Sequence, residues 1–316
     1  MYYTIGGFTL DDTVLPNGEV KRKAPGGNVL YSAIGAKIWD VEVGMISPIG
    51  KDYPDEYLDI MREKGLDVRG VRRIDRPSFH VWILHEGNGK RQIIYRLDSG
   101  SNQFLDPTIS DISQECLSAE GIHICPIRGD SQRKLLEHLI KNDVPVFLDL
   151  IVIPGQIDIQ LLEGRENWKK LKAFLPSIEE VRAVFGNLPL KELLCQMEEV
   201  SPECFAIKLG HNGSIVRNPT DNSYYHVPVY NADVVDATGA GDSYCGGFMV
   251  GLQETGDAIQ AALFGTVSSS FLIEDFGALH GLEVTLEKAQ ERLDIVKNKV
   301  CLLDPKKIDS LNEKLI

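Results

Sequence analysis

Short apolar runs alternate with amphipathic stretches along most of the chain, and this alternation constrains the fold more than any other feature. Met1–Gly7, Val43–Ile46, Ile122–Cys125, Val146–Leu150 and Phe205–Leu209 have the length and apolar content of buried strands. Asn28–Trp39, Pro54–Lys64, Ser131–Lys141, Ile178–Val184 and Leu190–Glu199 carry apolar residues at helical spacing. Pro54 stands at the start of one such stretch and Gly65 just past its end, where helix-end preferences put them. Parallel strands need a crossover between them, and helices supply it. The pattern predicts an α/β fold: a doubly wound, mostly parallel sheet with helices on both faces. With 316 residues and no repeat, low-complexity tract or linker, the chain reads as one domain spanning 1–316.

Two stretches break the alternation. Residues 11–24 and about 77–98 read as extended β. The second has β-rich runs on either side of Gly87-Asn88-Gly89, and Asn-Gly is a strong hairpin signal. The two stretches can pair as a small sheet closing over a crevice in the α/β core, which would keep water from a reactive phosphate. The alternative is an ordinary antiparallel extension at the edge of the main sheet.

The formal charge of −13 and the absence of a basic stripe exclude a nucleic-acid binder. An acidic protein binds anions through local backbone dipoles or a few placed cations, which directs attention to glycine-rich loops. No apolar run reaches 18 residues, so no membrane span is expected. The six cysteines form no CxxC pair, and the first residues carry no basic or apolar leader. Both point to a cytoplasmic protein with reduced thiols.

The chemistry concentrates in Val234–Gly251, VVDATGAGDSYCGGFMVG. Thr238-Gly239-Ala240-Gly241-Asp242 falls where a loop becomes a small-residue helix. Glycines there let backbone N–H groups converge, and the helix start adds its free N–H groups and positive dipole end. The result is an anion hole. Asp242 in the first turn either complements the helix dipole or serves as general base for a hydroxyl nucleophile, and the local physics does not choose between them. Rival motifs fail. There is no GxxxxGK[ST] loop, Tyr244 breaks GxGxxG, and neither HExxH, zinc spacing nor GxSxG occurs. Gly87-Asn88-Gly89-Lys90 reads as a hairpin tip rather than a phosphate loop.

Asp236-Ala237-Thr238-Gly239-Ala240-Gly241-Asp242 resembles the C-terminal signature of the ribokinase-like (PfkB) carbohydrate kinases, and Pro25-Gly26-Gly27-Asn28 their N-terminal glycine motif. Order and separation match over nearly the whole chain. The resemblance implies a β-sheet lid over the α/β core, ATP and Mg²⁺, and a sugar-like substrate held between lid and core. It makes Asp242 the catalytic base, and Gly239, Ala240 and Gly241 the anion hole, with Thr238 beside the nucleotide. It places Asp12, Gly27 and Asn28 at substrate hydroxyls. Alternatively, Asp12 or Asp11 is a turn residue and Asn28 a helix cap. Lys208, Gly210 and Gly213 resemble the family's strand and glycine turn beside the nucleotide, and Gly277 a loop near it. Ala261–Ser270 resembles the helix lining the adenine pocket, or is simply a close-packed helix.

The sequence departs from the family's pattern at several points. Ser177 replaces the Asn of an Asn-x-x-Glu motif that organises Mg²⁺ through water, while Glu180 is kept. Tyr31 stands where a second Asn is common and would narrow the substrate pocket or stack on a ring. Asp149 is followed by Leu150-Ile151-Val152 rather than polar residues, leaving Arg96 as the cation for a phosphorylated substrate. Asp236 is placed for a monovalent cation such as K⁺, although Ala237 replaces the usual Thr. Two other readings stay open: a nucleoside kinase, its base covered by Tyr31, Phe79 and Trp82, and a non-catalytic ligand sensor. Exposed lid edges suit a homodimer.

Overall fold

The computed structural model describes residues 1–86, 91–150, 165–202, 204–304 and 308. Its strands are β1 (Tyr2–Ile5), β2 (Thr9–Val14), β3 (Val20–Gly26), β4 (Val43–Ile49), β5 (Leu66–Asp67), β6 (Val71–Arg73), β7 (Phe79–His85) and β8 (Arg91–Tyr95). They continue with β9 (Gly121–Ile124), β10 (Val146–Leu148), β11 (Ala173–Phe174), β12 (Phe205–Lys208), β13 (Ser214–Asn218), β14 (Ser223–Val227) and β15 (Cys301–Leu302). The helices are α1 (Asn28–Lys37), α2 (Asp55–Glu63), α3 (Asn102–Leu105), α4 (Gly129–Lys141), α5 (Ile178–Phe185), α6 (Leu190–Val200), α7 (Ala240–Thr255), α8 (Ala258–Leu272) and α9 (Leu286–Lys297).

The main sheet runs β15-β14-β13-β12-β11-β10-β9-β1-β4-β5, with β6 also on β4. Pairing is parallel from β4 through β1 to β12 and antiparallel from β12 to β15. Successive strand residues feed opposite faces, as a period of two requires. Tyr2, Ala173 and Ala206 join a core formed with α1, α7, α8 and α9, while Tyr3, Phe174 and Phe205 join one formed with α4, α5 and α6. Both faces are thereby covered, which a parallel sheet needs.

From β1 the chain extends the sheet one way to β4 and later the other way to β9, so the strand order reverses beside β1. Crevices form at such reversals, outside the carboxyl ends of the strands. Here those ends are Gly6-Gly7 and Cys125-Pro126. Asn28 spans them: Gly7 N donates to its Oδ1 (2.9 Å) and its Nδ2 donates to Pro126 O (2.6 Å).

The two β insertions form a second sheet of their own, ordered β3-β2-β7-β8, and not an edge of the main one. The tip 87–90 lies outside the described residues, but β7 and β8 pair antiparallel around it, as the Asn-Gly step predicts. Asp11, Val81 and Tyr95 share a row across the lid, and so do His85 and Arg91 on the same face. Asp12 and Trp82 belong to the opposite face. Among the described residues no helix is long and apolar enough to cross a membrane.

Candidate active site

Helix α7 is buried all round from Ser243 to Leu252, held between α1 and α8. A helix with no polar face belongs in a protein interior, so its start is fixed deep in the molecule. The loop leading into it is tied down at Asp236, whose Oδ1 accepts from Thr238 N (2.8 Å) and Thr238 Oγ1 (2.6 Å). Gly239 then takes a left-handed φ of 74° with its Cα against the Tyr31 ring, where any side chain would collide. Ala240 N donates to Ala237 O and Ser243 N to Gly239 O, while Gly241 and Asp242 N–H find no backbone acceptor. Two amides without a backbone acceptor and a helix dipole end therefore lie beside the Asp242 carboxylate, toward which the Asp242 N–H itself donates.

Burial pushes the Asp242 carboxyl up to about 6, and the Lys208 charge opposes the rise. Lys208 ends β12 and lays its ammonium under Gly241, 3.4 Å from where a Cβ would stand. It is ion-paired with Asp149 and lies 3.5 Å from Cys245 Sγ. Burial alone would lower its pKa, but the Asp149 charge more than compensates and the pKa is raised. The potential ligand atoms of His123, Asp149 and Cys245 lie within 4.8 Å of one another, a metal-site spacing. The Asp149 oxygen, however, holds the Lys208 ammonium, and His123 Nδ1 is engaged with Ser32 Oγ at 2.7 Å. The cluster is a covered ion pair.

Ser177 and Glu180 form a capping box at the start of α5: Ser177 N donates to Glu180 Oε2 (2.6 Å) and Glu180 N to Ser177 Oγ (3.3 Å). Burial, then the neighbouring Asp149 charge, lifts the Glu180 carboxyl to about 8. A buried carboxyl so raised is one a divalent cation would favour in its charged form.

On one side of Asp242 a cavity of about 450 Å³ opens between β12 and α8, lined by Gly210, Gly213, Gly241, Tyr244, Ser269 and Ile273 among others. Lys208 is also part of its lining. Thr238 is turned onto Asp236, and Gly277 lies by Ala24 and Pro25 at the lid's base, outside the cavity lining.

The acceptor side corrects several expectations. Asp12 is 1% exposed and held by Arg96 Nη1 (2.7 Å), Arg22 Nη1 (3.3 Å) and Lys23 N (2.9 Å). Arg96 also grips Asp98, and both arginines flank Trp82. Asp12, Arg96 and Trp82 therefore form one cluster on the lid face away from Asp242. The resemblance points to Asp12, but successive strand residues face opposite sides, and Asp12 is turned to the outer one. Asp11 is the carboxylate on the inner face. Its Oδ1 is buried without a partner, and burial raises it to about 7 despite a hydrogen bond from Thr9. Asn28 is no helix cap; both its amide atoms bind backbone. Gly27 caps α1 at φ 103°, its Cα pressed against Gly7-Phe8. Tyr31 is 2% exposed and supports Gly239 from below rather than walling the pocket.

The sequence reading passed over His85, whose Nε2 lies 3.4 Å from Asp236 Oδ1, and Arg91 opposite it. A two-residue turn at Asn88-Gly89 would set Arg91 opposite Glu86; the observed register, His85 opposite Arg91, is one residue off it, so the turn signal alone does not place Arg91 on the Asp11 face.

The pfkB family carbohydrate kinase model matches residues 5–285. A cytidine kinase of Thermococcus kodakarensis is 26% identical over 247 residues, covering 78% of this chain and 86% of the relative. A ribokinase of Lactococcus lactis is 23% identical over 269 residues, 84% of each chain. A protein provisionally named ribokinase II from E. coli, solved in complex with ATP and Mg²⁺, superposes with a TM-score of 0.77 at 18% identity, covering 93% of this chain and 99% of that one.

Proposed function

Because the chain belongs to the pfkB family of carbohydrate kinases, and is thus a phosphotransferase with an alcohol group as acceptor, we propose that Asp242 is its catalytic base and ATP its phosphoryl donor. One observation carries this reading: the buried Asp242 carboxylate stands at a helix start whose Gly241 and Asp242 amides have no backbone acceptor, and Ala240 and Gly241 of that start line the 450 Å³ cavity. ATP occupies the cavity along Gly210 and Gly213, its terminal phosphate at the amides. The acceptor hydroxyl gives its proton to Asp242 as its oxygen bonds to the γ-phosphorus, and the bond from that phosphorus to ADP breaks. The Gly241 and Asp242 amides, at the heart of the expected Gly239–Asp242 anion hole, stabilise the moving group, with Lys208 beneath them. Mg²⁺ supplies charge neutralisation on the ATP oxygens, and Glu180 is the buried carboxylate suited to holding its water shell. The Asp236 Oδ1 is already engaged by Thr238, so a K⁺ there would use its other oxygen.

Asp11 binds substrate hydroxyls in this reading, with Gly27 and Asn28 shaping the pocket. The substrate is a small sugar-like polyol. A nucleoside is the second reading. It is favoured by Ile93 and Tyr95 of β8, which are 54% and 58% exposed on the Asp11 face, where a planar base could lie against them. The remaining apolar edge of β8 supports pairing of two lids in a dimer, which sedimentation would test. The deciding experiment is an ADP-release screen with Mg²⁺ over sugars, polyols, sugar acids and nucleosides. Turnover of some acceptor that vanishes in Asp242→Asn is expected; turnover undiminished in that variant overturns the assignment.

A further inference from the structure

The lid strands and their flanks carry Arg22, Arg91 and Arg96. Two of them are committed elsewhere, since Arg22 and Arg96 bind Asp12 and flank Trp82 on the outer face. Arg91 opens β8, lies directly opposite His85 and is exposed, with no ion pair among the described residues. Opposed residues of an antiparallel pair share a face, with Cβ atoms about 4.5–5.5 Å apart. His85 on that face already touches Asp236 at the start of the anion-binding loop, Nε2 to Oδ1 3.4 Å. Arg91 is thus one strand from the residue that touches the anion-binding loop.

We propose that Arg91 is a further catalytic residue, a lid-borne cation that donates to the non-bridging oxygens of the phosphoryl group as it passes from ATP to the acceptor. The inference rests on the kinase reading above and goes beyond it. Burial raises both the Asp11 and the Asp242 carboxyl, and the Arg91 charge opposes the rise at each. A guanidinium near two carboxylates and bound to neither has its donors free for an incoming anion. Transfer leaves negative charge on the equatorial oxygens of the moving group and on the departing β-phosphate oxygen. The Gly241 and Asp242 amides meet that charge from the core, Lys208 from beneath, and Arg91 from above. Only the last of these rides on the lid. Closing the lid over an acceptor would then complete the charge set, so ATP would react poorly with water while the lid is open.

The test uses the full chain and the variants Arg91→Gln and Arg91→Lys. Melting is followed with Mg·ADP, then with Mg·ADP plus aluminium fluoride, a mimic of the group in flight, in the presence of ribose or cytidine. Wild type should gain stability with Mg·ADP and again with the fluoride. Arg91→Gln should keep the first gain and lose the second, with Arg91→Lys between. In turnover, kcat of Arg91→Gln should fall about 10²–10³-fold, the effect of removing one donor from an anion hole. A second gain intact in Arg91→Gln, or a defect confined to the acceptor KM, overturns the proposal; the latter would make Arg91 an acceptor-binding residue. If Mg·ADP stabilises none of the proteins, the kinase reading itself falls, and the inference falls with it.

Discussion

The two ends of the crevice are built differently. The anion-hole end is made by consecutive residues, Asp236 to Asp242, at the start of a helix buried on every side. The acceptor end is made by one face of a four-stranded lid, with contributors drawn from β2, β7 and β8. A contiguous loop fixes its own geometry, so its chemistry can be read from spacing. A sheet face depends on register, and a slip of one residue exchanges every side chain for its neighbour. The first design gives a site that tolerates no change of backbone. The second can change acceptor by substituting single lid residues without disturbing the transfer machinery.

The largest effect should fall at the core end. Asp242→Asn should lower kcat about 10²–10⁴-fold, the range for losing a positioned base, while Mg·ATP binding measured by calorimetry stays intact. The carboxyl stands near 6, raised above an ordinary aspartate, so it is ionised and able to accept a proton above that pH and protonated below it. The log of kcat should therefore fall by about one per pH unit below 6 and level off above it, provided the chemical step limits turnover. A profile flat through that range would assign the proton elsewhere. Next comes the ion pair beneath the anion hole. Lys208→Met leaves Asp149 buried and uncompensated, and should cost about 3–5 kcal/mol of stability in denaturant unfolding. Pairing it with Asp149→Leu should return much of that loss; no recovery would mean the two are not a coupled pair.

The lid gives a sharper contrast. Asp11→Asn should raise the acceptor KM about 10–100-fold, the worth of a hydrogen bond to a charged group, with kcat less affected. Asp12→Asn should leave that KM nearly unchanged and loosen the Arg22–Arg96 cluster instead, seen as a lower melting temperature. The reverse pattern would restore Asp12 as the substrate ligand and undo the assignment of lid faces.

This contrast also marks how far sequence could reach. The alternation of apolar runs and helical periods was enough for the parallel sheet and its two covered faces, because each period reports which side is buried. The Asn-Gly step disclosed the hairpin, and the glycine loop with Asp242 disclosed the anion hole. Asp12 is a substrate ligand by the family resemblance and Arg96 by being the cation of the second β insertion, yet the two pair with each other on the outer face. Spacing alone does not say which of two adjacent aspartates looks inward. Tyr31 was legible as large and close to the site, but its place beneath Gly239 depends on how α1 and α7 pack, a contact between segments some 200 residues apart.

The smallest predicted effect tests whether Ser177 has a role at the metal or only at its helix. As a helix cap, Ser177 satisfies Glu180 N and positions the Glu180 carboxylate through the return bond to Ser177 N. Ser177→Ala should cost about 1 kcal/mol, the usual worth of a cap, visible as a modest drop in melting temperature. Ser177→Asn replaces one good cap with another, so stability should hold. The two substitutions separate the roles, because asparagine adds an amide donor that serine lacks. If Glu180 and its neighbour together hold the water shell of Mg²⁺, Ser177→Asn should lower the Mg²⁺ concentration for half-maximal rate at unchanged stability. If that concentration moves only with Ser177→Ala, in step with the loss of stability, Ser177 acts through the helix start alone, and Glu180 carries the metal end unaided.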